Sequence, residues 1–138
     1  MSRADFYQLK SSDPASRYPL LCRLLEKSLS ANQKVCVLCQ NEAEAMHLDQ
    51  YIWAFKPDSF IPHALAHEDA KAIVVLGWPD TVSTAHHEIC INLSQQLAPE
   101  HFQRIIELVV QDEDILAATR QHYASYSRLG RTMQYHKS

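Results

Sequence analysis

Glycine is almost missing from this chain. Among 138 residues only Gly77 and Gly130 occur, so neither G-x-G-x-x-G nor G-x-x-x-x-G-K-[ST] can be written. Both loops need glycine so that backbone N–H groups can close on a phosphate, and a nucleotide enzyme of the usual kind is excluded on that count. Long apolar runs are missing too, so no helix is expected to span a bilayer. The opening MSRADFYQLKSSDP has no apolar stretch of signal length, and a cytoplasmic location is the expectation. Basic charge is not in surplus: 13 Lys and Arg face 16 Asp and Glu, for a net charge of −3. That total does not supply a surface for wrapping nucleic acid through its phosphates. There is no G-x-S-x-G elbow and no H-E-x-x-H, and the carboxylates are scattered at solvated helix positions. No cofactor is expected, and function has to be sought in surfaces.

What is present describes an ordinary soluble domain, 46% hydrophobic and 21% charged, with residues 1–138 forming one unit. Cys36 and Cys39 form a C-x-x-C inside KVCVLC, which invites a metal or redox reading. KVCVLC reads as a buried strand, and an offset of three places the two sulfurs on opposite faces. Buried, reduced thiols are expected for this pair, with a functional pair as the alternative.

Strands are expected at Asp5–Leu9, Lys34–Cys39, Ala72–Trp78, Glu88–Ser94 and Glu107–Gln111. The spacing of Leu20, Leu21, Leu24, Leu25 and Leu29 predicts a helix from Arg17. Asn41 is the expected N-cap of a second helix, EAEAMHLDQYIWAF, with Met46, Leu48, Ile52 and Phe55 supplying its apolar contacts. Pro99 is expected to open a short helix, PEHFQRII. Asp112, Glu113 and Asp114 start a long final helix that ends near Gly130, since acidic residues complement a helix N-terminus. The last stretch, RTMQYHKS, is expected to be loosely held. Apolar β-branched strands alternating with helices imply an α/β fold: a three-layer, mostly parallel sheet with helices on both faces.

Two surfaces stand out. In LDQYIWAFKPDSFIPH, Trp53 and Phe55 end a helix, and Phe60, Ile61 and Pro62 follow in a proline-bracketed turn. The loop either folds back as a satellite core or leaves an apolar patch for a partner, since Trp and Phe are enriched at interface centres. On the final helix, Ile115, Thr119, His122, Tyr126 and Leu129 are spaced to face the core. Arg120, Ala124 and Arg128 form a separate stripe with Tyr123 beside it. That stripe is either a solvated face or a shallow slot suited to an acidic peptide, because Arg forks bind carboxylates bidentately. His63 and His67 have metal-like spacing only if helical, and His86, His87 and Glu88 cluster before a strand. An enzyme built around these histidines, or a direct nucleic-acid binder, are the rival readings.

With these residues in view, the whole chain resembles the chi subunit family of bacterial DNA polymerase III, accessory proteins of the clamp loader. The resemblance rests on Phe6-Tyr7, the L-D-x-x-x-W ending at Trp53, and Ser59, Phe60, Pro62 and His63. Trp78-Pro79 and the R-x-x-Y-x-x-Y of Arg120, Tyr123 and Tyr126 extend it. It implies a non-enzymatic adaptor of nucleotide-binding-like fold without a nucleotide site. One surface would bind the psi subunit of the clamp loader, matched by Trp53, Phe60 and Pro62. Another would bind the acidic C-terminal tail of single-stranded DNA-binding protein, matched by Arg120 and Tyr123, with Val109 as an apolar neighbour. DNA would be contacted only indirectly, and no membrane would be involved. Leu116 and Ala124 stand where the family has basic residues, so cationic charge is thinner, and Arg128 falls on the same stripe to compensate.

Overall fold

The computed structural model describes residues 2–55, 60–81 and 88–137. Ser59, His86 and His87 lie outside the described residues. Ten elements follow one another: β1 (Arg3–Gln8), α1 (Arg17–Ser30), β2 (Val35–Leu38), α2 (Glu42–Ala54), β3 (Ala64–Leu65), β4 (Val74–Gly77), β5 (Ile89–Asn92), β6 (Arg104–Val109), α3 (Glu113–Arg128) and β7 (Thr132–Lys137). The strands form one seven-stranded sheet in the order β3-β4-β2-β5-β6-β1-β7. Every pairing in it is parallel, so the expected mostly parallel sheet is parallel throughout.

Handedness decides where the helices go. From β1 to β2, and from β2 to β3, the chain moves one way along the sheet; from β6 to β7 it moves the other way. Right-handed crossovers turn that reversal into opposite faces. α1 and α2 accordingly bury Leu21, Leu25, Leu48 and Ile52 against Val35, Val37, Ile89 and Ile91. On the other face, Ile115, Leu116 and Tyr126 of α3 pack on Phe6, Cys36, Leu38 and Ile105. The result is the expected three-layer α/β architecture.

The same division separates the C-x-x-C pair. Cys39 lies in the core under α1 and α2, and Cys36 lies in the core under α3. All four cysteines are free and buried. Burial pushes the Cys22 thiol up to about 12 and raises that of Cys39 as well, which suits inert thiols.

Four expectations are corrected. Pro99 opens a turn and not a helix, because Arg104, Ile105 and Ile106 are the first half of β6, hydrogen-bonded between β5 and β1. The stretch after Gly130 is not loose but forms β7, a full edge strand on β1. Backbone pairing holds it, together with a stacked Phe6–Tyr135 pair at 5.7 Å and a His136 Nε2 contact of 2.9 Å to Asp5 Oδ1. The turn that launches it is set by Gly130 at φ +83°, where a side chain would be strained, and by the buried Arg131. Arg131 donates to the carbonyls of Glu100 at 2.9 Å and Phe102 at 2.7 Å. Leu129 is half exposed, because the helix stops at Arg128 and its cap swings off the core face. Met46 is also half exposed, since α2 buries Ala45, Leu48 and Ile52. Beyond these corrections, β3 was not anticipated in the turn-rich stretch.

Candidate protein-binding sites

α2 begins where Asn41 accepts a hydrogen bond from the Glu44 N–H at 2.9 Å, the expected N-cap. Its solvent face ends in Trp53, and the chain returns at Phe60. Ile61 is buried in the core, and this anchors the segment. His63 is a second anchor: its Nδ1 lies 2.7 Å from the Ile61 carbonyl and its Nε2 lies 3.0 Å from Asp49 Oδ1 on α2. The imidazole packs under Trp53 at 4.9 Å between ring centroids, and Phe60 leans on Trp53 at 5.5 Å. The stretch from Phe60 is thus tied down through Ile61 and His63 while Trp53 remains 53% and Phe60 67% exposed, with Pro62 exposed beside them. This is an aromatic ledge with its support buried. Met46, seven residues before Trp53, lies on the same side of α2 and extends the apolar stripe. Sequence spacing had assigned it to the core.

His63 and His67 are separated by the strand Ala64–Leu65, so their helical spacing is not formed. No group of three metal-ligating side chains occurs among the described residues.

The second site lies on the opposite face of the sheet. Asp112 caps α3 by accepting from the Asp114 and Ile115 N–H groups at 3.0 and 3.1 Å. The helix is fixed from below by a buried polar network. Glu107, in the middle of β6, accepts from Tyr126 Oη at 2.7 Å, from Asn92 Nδ2 at 2.9 Å and from His122 Nδ1 at 3.0 Å. His122 Nε2 lies 3.1 Å from the Gln95 carbonyl. Both ring nitrogens therefore face acceptors, the geometry of an imidazolium. Burial alone would lower the His122 pKa; the hydrogen bond and charge of Glu107 outweigh it and hold the ring above its ordinary value.

This anchoring fixes the outer face of α3. Arg120 and Tyr123, one turn apart, share a cavity of about 230 Å³ with Thr119 and Tyr135 of β7. Tyr123 and Tyr135, 6.1 Å apart, form its aromatic side, and the buried Phe6 backs Tyr123 at 5.5 Å. Arg120 is exposed and forms no ion pair among the described residues. The structure thus joins Arg120 and Tyr123 but not the other two residues of that set. Arg128 lies about 12 Å further along the helix axis, at 1.5 Å per residue, and donates to Ser125 Oγ at 3.2 Å. Val109 is buried beneath, in the core that Leu116 covers. Tyr135 was missed because the strand that carries it was missed.

Sequence comparison places this chain beside one known family. The sequence model described as "DNA polymerase III chi subunit, HolC" matches residues 1–134. DNA polymerase III subunit chi of Pseudomonas aeruginosa is 39% identical over 140 residues, covering 99% of this chain and 97% of that protein. The subunit chi of Escherichia coli K12 is 27% identical over 138 residues, covering 94% of each, and that of Haemophilus influenzae is 26% identical over 124 residues, covering 87% and 86%. The match spans both the aromatic ledge and the Arg120 pocket, and the chain belongs to the DNA polymerase III chi subunit family.

Proposed function

We propose that this protein is a non-catalytic adaptor of the replicative polymerase in the bacterial cytoplasm. It bridges the clamp loader, through the psi subunit, to the acidic C-terminal tail of single-stranded DNA-binding protein. Trp53, Phe60 and Pro62 hold psi. Arg120 and Tyr123 hold the tail, with Arg128 as a more distant cation and Val109 supporting the floor. The observation that carries this reading is the placement of two exposed aromatic surfaces on opposite faces of one rigid sheet. Partners seated on them do not collide, so both can be held at once.

The two contacts differ in kind. Trp53 and Phe60 offer apolar area for a stable complex. The pocket at Arg120 offers one guanidinium fork and aromatic walls, which suits a weak, exchangeable contact to a carboxylate. Attachment to protein-coated single strands then raises the local concentration of clamp loader. No helix among the described residues is long and apolar enough to cross a membrane.

The tail site is tested by fluorescence anisotropy with a labelled peptide copying that tail. Arg120→Ala is expected to weaken binding about 10- to 50-fold, the loss typical of an interface arginine, while the melting temperature stays unchanged. Affinity of the native protein should fall as salt rises, because the pair is exposed to screening. Unaltered binding by the variant would remove the pocket from the reading.

A further inference from the structure

The pocket at Arg120 is not isolated. A second hollow of about 330 Å³ opens at the C-terminal ends of β1 and β7, lined by Gln8, Leu9, Lys10, Gln111 and Lys137. The two share one strand face. Tyr135 borders the first and Lys137 the second; they are two residues apart on β7, about 7 Å, and point the same way. Their register partners on β1 are Phe6 and Gln8. The hollows therefore follow one another along the α3 side of β7, close enough for one extended peptide to reach both.

Topology explains why a hollow exists at this end. The connection leaving β1 goes to the face of α1, and the one leaving β6 goes to the face of α3. Adjacent strands whose connections part in this way leave a crevice beyond their carboxyl ends. Here it has no glycine loop for a phosphate but has two exposed ammonium groups. Lys10 and Lys137 form no ion pair among the described residues. Two of its lining residues are tied together, Gln111 Nε2 donating to the Leu9 carbonyl at 3.1 Å. On a chain of net charge −3, a hollow flanked by two lysines and followed along β7 by an arginine pocket is a local cationic track.

We propose that this groove binds an acidic peptide longer than the Arg120 pocket can hold, with carboxylates upstream of the peptide's C-terminus seated between Lys10 and Lys137. The assignment rests on the tail-binding reading and extends it to two residues at strand ends. It also gives a source of charge where α3 carries Leu116 and Ala124. β7 is the last strand of the sheet among the described residues, so an extended chain can lie along its open edge without displacing a neighbour.

The test compares two labelled peptides with the same C-terminus, one of only the last few residues and one that also includes the acidic stretch before them. The double variant Lys10→Glu/Lys137→Glu is expected to bind the longer peptide about tenfold more weakly at low salt, the sum of two exposed ion pairs. It should bind the short peptide as the native protein does. Lys34→Glu/Lys71→Glu applies the same change of net charge at exposed lysines near the opposite ends of the strands, and should affect neither. If the Lys10/Lys137 variant binds both peptides equally well, or loses both equally, the groove extension is wrong while the Arg120 site stands. If the native protein binds neither peptide, the tail reading fails and the extension falls with it.

Discussion

Glu107→Ala is expected to cost about 3–5 kcal/mol of stability, the loss seen when one partner of a buried charge pair is removed. The carboxylate is the only acceptor shared by Tyr126 Oη, Asn92 Nδ2 and His122 Nδ1. Deleting it takes the acceptor from the Tyr126 phenol and from His122 Nδ1, while Asn92 Nδ2 keeps only the Gln96 carbonyl. The Glu107 side chain is 5% exposed and that of His122 4%. For a domain of this length the loss corresponds to a fall of about 10–20 °C in melting temperature. Thermal unfolding followed by circular dichroism measures it directly. A shift of only a degree or two would mean that α3 is held by its apolar contacts alone.

The same network predicts a pH dependence. The His122 pKa is raised in the folded state. Between the unfolded value, about 6.5, and the raised one, the native state holds a proton that the unfolded state has released. Stability from this pair is therefore complete below about pH 6.5 and declines as pH rises through the folded value. Urea unfolding across that range should show the decline, and Glu107→Gln, which removes the charge, should flatten it. α3 carries both roles because a helix divides its faces: His122 and Tyr126 turn inward to Glu107, and Arg120 and Tyr123 turn outward to the groove.

The parts of this protein legible in the sequence are those where one periodicity dominates. Leu20 to Leu29 repeat at helical spacing, and the runs around Val37, Val75 and Ile91 are apolar on both sides, as strands covered on two faces must be. β7 was illegible for the opposite reason. Its residues Thr132, Gln134 and His136 are polar, and its stability comes from pairing with β1 and from rings far away in sequence. Pro99 misled because it is as much at home in a turn as at the first position of a helix. The site residues divide along the same line. Arg120 and Tyr123 were legible because they lie on one helix, one turn apart. Tyr135, Lys137 and Lys10 reach the groove only through the pairing of β1 with β7, which no local pattern announces.

Trp53→Ala is expected to weaken the complex with psi by about 2–4 kcal/mol, roughly 30- to 1,000-fold, the range for a central interface tryptophan. Trp53 is exposed over half its surface yet rests on a base, the His63 ring, held at the Ile61 carbonyl and lying beside Asp49. A partner that covers it gains aromatic area that is already supported from beneath, which is why the loss should fall mainly on dissociation. Because the indole is not part of the core, the folded protein should lose no more than about 1 kcal/mol of stability. Calorimetric titration with psi gives the affinity, and the tail peptide serves as internal control: Trp53→Ala should bind it normally, as Arg120→Ala should bind psi normally. The sheet between them is the reason to expect this independence, since the two sites share no side chain and lie on separate cores. Equal damage to both partners by either substitution would mean that the two faces are coupled through the sheet, and that the adaptor passes information between its partners rather than merely holding them together.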